Sequence, residues 1–556
     1  MAQLLFNKDE HPDATFNDIF LLPNNDIQKK VLKVATDEER MRIQAACRKY
    51  LQITDERQPL VENADTEIDF PAYQEYRSVL LEIAELHKIG GSFSRDDVDL
   101  KPRGGLSNTP LIVANMNNVT GKRMAEAIAR VGGIAAVPQD KTDEELKSIT
   151  EYMRTRHDVY ETPITVTEDT KIHEFHKLLT KRSHNMAVAV DADGTLIGVL
   201  GKKDIPDGVN NDISVSAFIR RENFETQPDG IGPRAAIDYM DEKHVSYLPI
   251  VTGDKKVTGV LPLMDAAMRL RYNPNLDTRN GGLRALYTIG ALNKNPIDRV
   301  KYLLDLGVYD ILLDTANFDQ GIVPYRNIEK VRNIAEQRGV DINLMAGNVV
   351  TRKATRDILA AGAKFVKVGV GPGAMCTTRM QTGVGRPQVS AVLECAEEAN
   401  KRGGFVVADG GVTHPRDVAI DLAAGADYIM VGSLFAGTYE SPSDLLGDEK
   451  NGFYKVNYGM ASTRASVLRT FGQQRKTDKE IFRAIVGQRS EGISESRVYL
   501  KPNRESVALL HHDLLDGPAS SSGYANALSL QEFPNEAVMG IQTTSGFQEG
   551  TAKEKF

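Results

Sequence analysis

Cysteine is scarce in this chain: three in 556 residues, Cys47, Cys376 and Cys395, an odd count with no paired or metal-like spacing. A disulfide framework and a cysteine zinc site are thereby excluded, and a reducing cytoplasm is the expected compartment. An excess of one charge is also missing. Lys plus Arg number 68 against 76 Asp plus Glu, a net charge of −8, which offers no basic stripe for nucleic acid or anionic lipid. No apolar run approaches the roughly 18 residues that a membrane span needs. The opening Met-Ala-Gln-Leu-Leu-Phe-Asn-Lys-Asp-Glu turns acidic too early for a signal peptide. Hydrophobic residues at 41% and charged ones at 26% match soluble globular chains, so wholesale disorder is excluded. The expectation is a soluble cytoplasmic enzyme of two to four domains, acting on neither nucleic acid nor membrane.

What is present is a repeated strand–loop–helix pattern. Short β-rich runs occur at Tyr309-Asp-Ile-Leu-Leu-Asp314, Ile342-Asn-Leu-Met-Ala-Gly347, Phe365-Val-Lys-Val-Gly369, Phe405-Val-Val-Ala-Asp-Gly410 and Tyr428-Ile-Met-Val-Gly432. Between them, Ala354–Ala361, Ser390–Lys401 and Pro415–Ala424 carry apolar residues at helical spacing. Alternation of this kind means parallel strands joined by right-handed crossovers. Upstream, Thr109–Asn115, Gly133–Val137 and Leu286–Gly290 supply further strands. The predicted fold class is α/β, a (β/α)8 TIM barrel; an open Rossmann-like sheet lacks its G-x-G-x-x-G signature here.

Something is inserted within that barrel, and it repeats internally. Gly198-Val-Leu-x-x-x-Asp204 recurs as Gly259-Val-Leu-x-x-x-Asp265. Each copy reads as a helix, a strand, a polar turn, a strand and a helix. The predicted division is therefore 1–152 as first barrel part, with a charged helical insertion at about 35–99, then 153–272 as the inserted pair. Residues 273–515 form the second barrel part, and 516–556 a Ser-, Gly- and Ala-rich tail expected on the surface and frayed at its end.

Barrel active sites lie at the C-terminal ends of the strands. The loop after Gly369 reads Val370-Gly-Pro-Gly-Ala-Met-Cys-Thr-Thr-Arg379, where glycines allow the backbone to approach a ligand closely. Cys376 on that loop reads as a nucleophile, against the bland alternative of a small buried hydrophobe. Ala408-Asp-Gly-Gly-Val412 and Met430-Val-Gly-Ser433 follow late strands, where barrels bind phosphate through backbone N–H groups. Asp409 would repel phosphate and suits ribose hydroxyls instead.

These segments, together with Thr382-Gly-Val-Gly-Arg-Pro-Gln388, Gly459-Met460, Asn17-Asp-Ile-Phe-Leu-Leu-Pro23, Ala114-Asn-Met116 and Ala346-Gly-Asn-Val-Val-Thr351, resemble the IMP dehydrogenase/GMP reductase family. The likeness spans nearly the whole chain except about Ala35–Asp99. It implies that Cys376 adds to carbon 2 of the purine, forming a covalent thioimidate, with Thr378 and Glu491 as proton relay. It places Gly411, Gly432 and Ser433 on the 5′-phosphate, Asp409 on the ribose, and Asn115, Met116, Gly459 and Met460 around the nucleotide. Asp314, Thr315 and Asn317 would meet the nicotinamide side. Backbone carbonyls of Gly371, Gly373 and Cys376 would hold K⁺. The inserted pair resembles a tandem of CBS motifs, which implies an adenine or guanine nucleotide as ligand, although Gly201 and Pro262 stand where sensing repeats carry Ser or Thr. Homo-tetramers or octamers are implied as well.

The family's dehydrogenases hydrolyse the thioimidate with a flap carrying adjacent Arg and Tyr. The stretch Arg464–Ser496 has no Arg-Tyr pair, and Tyr458-Gly-Met-Ala-Ser462 resembles the reductase version. The closing Val538–Gly550 resembles a CBS-bearing branch of the family. The expected activity is therefore GMP reductase, converting GMP and NADPH to IMP and ammonia; IMP dehydrogenase and a non-catalytic purine nucleotide sensor are the alternatives. Two departures remain. Val137-Pro-Gln-Asp140 lacks the Lys of compact reductases, with Lys141 nearby, and Ala374 replaces a phosphate-binding Ser, a hydrogen bond worth about 1–2 kcal/mol.

Overall fold

Eight parallel strands close into a barrel. They are β1 (Leu111–Val113), β2 (Ile134–Val137), β3 (Leu286–Gly290), β4 (Asp310–Asp314), β5 (Asn343–Val349), β6 (Phe365–Val368), β7 (Phe405–Asp409) and β8 (Tyr428–Val431). The computed structural model describes residues 3–4, 15–22, 35–50, 70–86, 94–293, 296–448, 450–465 and 492–550, with positions 478, 482 and 486 between the last two ranges.

Sequential strands are neighbours all round. β8 closes onto β1 through Ile429↔Leu111, and β2 pairs with β3 through Leu286↔Ala136. The second contact matters because more than a hundred residues intervene between its partners; the barrel is continuous across the insertion. Period-two alternation builds the two faces. Ile112, Ile134, Leu286, Leu312, Met345, Phe365, Val407 and Tyr428 fill the lumen. Their neighbours Leu111, Ala135, Tyr287, Ile311, Leu344, Val366, Val406 and Ile429 pack outward under the helices. Each fully buried side chain of this size contributes about 1.5–3 kcal/mol.

The inserted stretch forms two three-stranded sheets of like design. In the first, Ile164–Val166 lies parallel to Met186–Val190, which turns back antiparallel into Leu196–Gly201. In the second, Gln227–Pro228 lies parallel to Tyr247–Val251, which turns into Val257–Pro262. Val188, Val190 and Val260 pack together between the two. The expected closing helix is present only in the second copy, Leu263–Arg271. The first ends instead in 3-10 turns, Lys202–Asp204 and Val215–Phe218, because Pro206, Gly208 and the pair Asn210-Asn211 break helical continuity.

A buried ionic cluster joins this insertion to the barrel. On the helix Lys122–Arg130, Glu126 pairs with Arg130 at 2.7 Å and with Arg182 of the insertion at 2.8 Å. Glu161 receives Arg182 at 3.0 Å and Arg130 at 3.2 Å. Burial opposes the charge of Glu126, but Arg130 and Arg182 outweigh it and hold the carboxyl below the usual range.

The segment from Asp516 onward corrects the expectation of a surface tail. It continues the helix Val507–Tyr524, whose Leu510, Leu514, Leu515 and Ala519 are buried in the barrel's outer core. The small residues that suggested a loose tail instead permit close packing: a Cβ on Gly517 would lie 2.7 Å from Pro415 Cβ. Val538–Ile541 then pairs antiparallel with Ile19–Leu22 and parallel with Gln3–Leu4. Residues 551–556 lie outside the described residues. In the charged stretch ahead of β1, Asp37–Tyr50 and Phe70–Leu86 are helices, with Ile43, Tyr76, Leu80 and Ile83 buried and Arg42 paired to Glu82 at 2.8 Å.

Candidate active site

A cavity of about 760 Å³ opens at the C-terminal ends of the strands. Of the residues singled out from the sequence, it is lined by Asn115, Met116, Asp314, Thr315, Gly371, Gly373, Cys376, Thr378, Asp409, Gly411, Gly432, Ser433, Gly459 and Met460. They come from segments far apart in the chain: most end or follow a barrel strand, while Gly459 and Met460 follow Gly452–Asn457, a strand of a separate antiparallel sheet.

The loop after β6 turns back on itself, with the Cys376 N–H donating to the Gly373 carbonyl at 2.9 Å. That turn lifts Cys376 to a half-buried position just ahead of the short helix Thr378–Thr382. The Cys376 thiol lies 3.2 Å from the Thr378 hydroxyl. Two distant segments lace onto this loop: the Ile493 N–H donates to Met375 O at 3.0 Å, and the Gly459 N–H to Ile493 O at 2.9 Å. The loop's exit from the barrel depends on Gly369, whose φ is +144° and whose Cβ, were there one, would sit 2.2 Å from the Asp409 carbonyl oxygen. Only glycine brings the ends of β6 and β7 this close.

The same cavity is lined by a charged group that sequence reasoning missed. Lys367 on β6 donates to Asp314 at 2.8 Å and to Asp409 at 2.6 Å. Asn115 donates to the free oxygen of Asp314, and Asn348 to Asp409, both at 2.9 Å. Lys367 is 3% exposed. Burial opposes its charge, but the two carboxylates outweigh that and hold the ammonium above its ordinary range. The signal was available: Phe365 faces the lumen, so Lys367, two residues on, must face it too. Gln139, Asp140, Leu292 and Asn293 also line the cavity without having been anticipated.

Some expectations fall elsewhere. Asn317 does not line the cavity; its side-chain oxygen accepts from the Asp319 N–H at 3.2 Å and shapes the local turn. Lys141 is engaged with Glu145 at 2.9 Å, outside the cavity lining. Glu491 and most of the stretch Arg464–Ser496 lie outside the described residues, although Gly492, which adjoins Glu491, bridges to Cys376. The Gly373 carbonyl accepts from the Cys376 N–H. Among the described residues no group of three or more His, Cys, Asp or Glu could hold a metal ion, and no helix is long and apolar enough to cross a membrane.

A half-buried thiol, a lysine-bridged carboxylate pair and glycine-rich strand ends line one cavity at the C-terminal ends of the strands of a (β/α)8 barrel, the face on which enzymes of this fold carry their active sites. The family model for the IMP dehydrogenase/GMP reductase domain matches residues 96–553. GMP reductases of Mycobacterium bovis and Mycobacterium tuberculosis are 41% identical over 463 residues, covering 82% of this chain and 92% of theirs. An IMP dehydrogenase of Aquifex aeolicus is 33% identical over 453 residues, 80% of this chain and 88% of its own. A solved GMP reductase variant from Trypanosoma brucei, in complex with guanosine 5′-monophosphate, shares the fold at a TM-score of 0.58 and 20% identity, covering 99% of this chain and 100% of that one. The chain belongs to the IMP dehydrogenase/GMP reductase family, and it is an oxidoreductase.

Proposed function

We propose that the protein is a GMP reductase, converting GMP, NADPH and two protons to IMP, ammonium and NADP⁺. The observation that carries this reading is the Cys376 thiol 3.2 Å from the Thr378 hydroxyl, both in the lining of the cavity of about 760 Å³. Cys376 adds as thiolate to carbon 2 of the purine. The departing amino group needs a proton, and Thr378 is placed to relay one, with Glu491 beside Gly492 as its source. Ammonia leaves and a thioimidate remains on the sulfur. NADPH, when bound, supplies a hydride to carbon 2. The carbon–sulfur bond then breaks, releasing IMP and restoring the thiol.

Asp409 takes the ribose hydroxyls, since a carboxylate accepts from hydroxyls and repels phosphate. Gly411, Gly432 and Ser433 form the phosphate end, and Asn115, Met116, Gly459 and Met460 enclose the nucleotide. Asp314 and Thr315 face the nicotinamide side, and Asp314 is oriented by Asn115. The backbone carbonyls of Gly371, Gly373 and Cys376 belong to this proposal as ligands of K⁺, which enters no chemical step.

The reductase is favoured over the dehydrogenase by the 41% identity to GMP reductases against 33% to an IMP dehydrogenase, and by the missing Arg-Tyr pair in Arg464–Ser496. The inserted pair at 153–272 belongs to this proposal as tandem CBS motifs, as do an adenine or guanine nucleotide ligand and a homo-tetramer or octamer. Its repeat Asp residues are engaged in the fold: Asp204 with Arg220 at 3.2 Å, Asp265 buried beside Glu161 and Arg269.

The deciding experiment is nicotinamide absorbance in two cuvettes, GMP with NADPH and IMP with NAD⁺. Loss of NADPH in the first, with IMP and ammonia formed, establishes the reductase. NADH appearing in the second establishes the dehydrogenase, and turnover in neither, despite GMP binding, leaves the nucleotide sensor.

A further inference from the structure

Lys367 has no part in the proposed chemistry: it is almost wholly buried, and its ammonium, though part of the cavity lining, is engaged by Asp314 and Asp409. A buried lysine is costly unless paired, so its place between two carboxylates calls for a physical account. The strand register supplies one. Asp314 of β4 lies level with Gly347 of β5, and Gly347 with Lys367 of β6. A Cβ on Gly347 would stand 2.5 Å from Lys367 Cβ and 2.4 Å from its carbonyl oxygen. The missing side chain on the middle strand therefore leaves the gap across which Lys367 reaches Asp314 at 2.8 Å. From the same position the ammonium reaches Asp409 of β7 at 2.6 Å. One cation thus spans carboxylates from strands on either side of β5 and β6. Each carboxylate keeps a neutral donor as well, Asn115 or Asn348, which fixes the oxygens still available to a ligand.

We infer that Lys367 is a positioning residue that locks Asp314 and Asp409 into a single rigid pair, so that the ribose end of the purine nucleotide and the nicotinamide end of the dinucleotide are set by one buried ammonium. The inference rests on the reading of the cavity as a joint GMP and nicotinamide site. Without the ammonium, two carboxylates of like charge would face each other across the floor and separate, and neither half-site would keep its geometry. Lys367 is buried and both carboxylates are half-buried, which makes this a charge-assisted arrangement of the stronger kind.

The test is calorimetric titration of the full chain with GMP and, separately, with NADP⁺, which has no hydride to give and so permits no turnover. In Lys367→Met both ligands are expected to bind about tenfold or more weakly, the consequence of losing hydrogen bonds to charged groups. Because removing the ammonium alone can prevent folding, a second variant keeps the charge balance: Lys367→Met with Asp314→Asn, compared with Asp314→Asn alone. With Asp314 already neutral the like-charge repulsion is gone, so the added lysine change is expected to weaken GMP binding by a smaller factor, through the lost contact to Asp409 alone. Unchanged GMP affinity in the folded double variant, or loss of only one ligand in folded Lys367→Met, overturns the inference. A lowered unfolding temperature with both affinities intact also overturns it, since that marks a purely structural lysine. If the unsubstituted protein binds neither ligand, the reading of the cavity itself fails, a result distinct from these.

Discussion

The Thr378 hydroxyl stands 3.2 Å from the Cys376 thiol, two residues away along the chain and across the first turn of a short helix. That closeness makes separable predictions for the two side chains. Cys376→Ala should abolish turnover and leave GMP binding near its original strength, because the thiol contributes a bond to the reacting carbon rather than a recognition contact. Thr378→Val should keep the nucleophile and lower kcat about a hundredfold or more, the usual range for a lost proton relay, with little change in the KM for GMP. Calorimetry and NADPH absorbance read both; activity surviving Cys376→Ala would remove the covalent route.

Gly369→Ala probes the meeting of β6 and β7. The new Cβ would fall 2.2 Å from Asp409 O at a φ of +144°, so the strand ends must part, at about 1–3 kcal/mol. The expected result is a lower unfolding temperature accompanied by weakened GMP binding, because Asp409 is carried away with the strand. An alanine variant that binds GMP normally would show that the strand ends yield without moving that carboxylate.

Arg182→Met tests the junction between insertion and barrel. It leaves Glu126 and Glu161 buried without the cation that reaches them at 2.8 and 3.0 Å, and breaking such a buried pair costs about 3–5 kcal/mol. Chemical denaturation should show a clearly lowered midpoint. A midpoint equal to that of the original protein would mean that Arg130 and Arg269 suffice to balance the two carboxylates.

Acid should destabilise the protein through His511. This imidazole is fully buried, facing the Thr109 hydroxyl at 2.9 Å and the edge of Tyr272. Burial, with His512 and Arg269 adding repulsion, pushes its pKa down from 6.5 to about 3. The folded state therefore holds it neutral, while the unfolded chain takes up a proton below pH 6.5. Its contribution is flat above that pH and is lost progressively as pH falls toward 3, on the order of 3–5 kcal/mol in all. His511→Asn, which does not titrate, should flatten the dependence of the unfolding midpoint on pH across that window.

The barrel was legible because its evidence is local. Each strand is a short β-rich run, most of them closed by Gly or Asp, and each helix shows its period in a dozen residues, as Phe365–Val368 followed by Gly369 and Gln388–Lys401 illustrate. Cys376, Asp409 and Gly411 were legible for the same reason, since each lies at or beyond the end of a barrel strand and lines the cavity. The segment from Asp516 misled because Ser, Gly and Ala are common both in frayed tails and in helices packed tightly. Only the proximity of Gly517 to Pro415 distinguishes them. The helix missing from the first repeat shows the converse, since Pro206 and Gly208 announced it locally.

By itself, then, the amino-acid order determined the strand–helix alternation, the place of the insertion and the glycine-rich loop that carries Cys376, since periodicity and loop position express short-range stereochemistry. The tertiary structure alone decided that Lys367 joins Asp314 to Asp409, that Arg182 ties the insertion to Glu126, and that Ile493 laces Gly459 to the cysteine loop. Each of these is a contact between residues distant in the chain, where the reach of a side chain depends on strand register and on which neighbour is glycine. Such contacts follow from closure of the barrel, which no local stretch of sequence encodes.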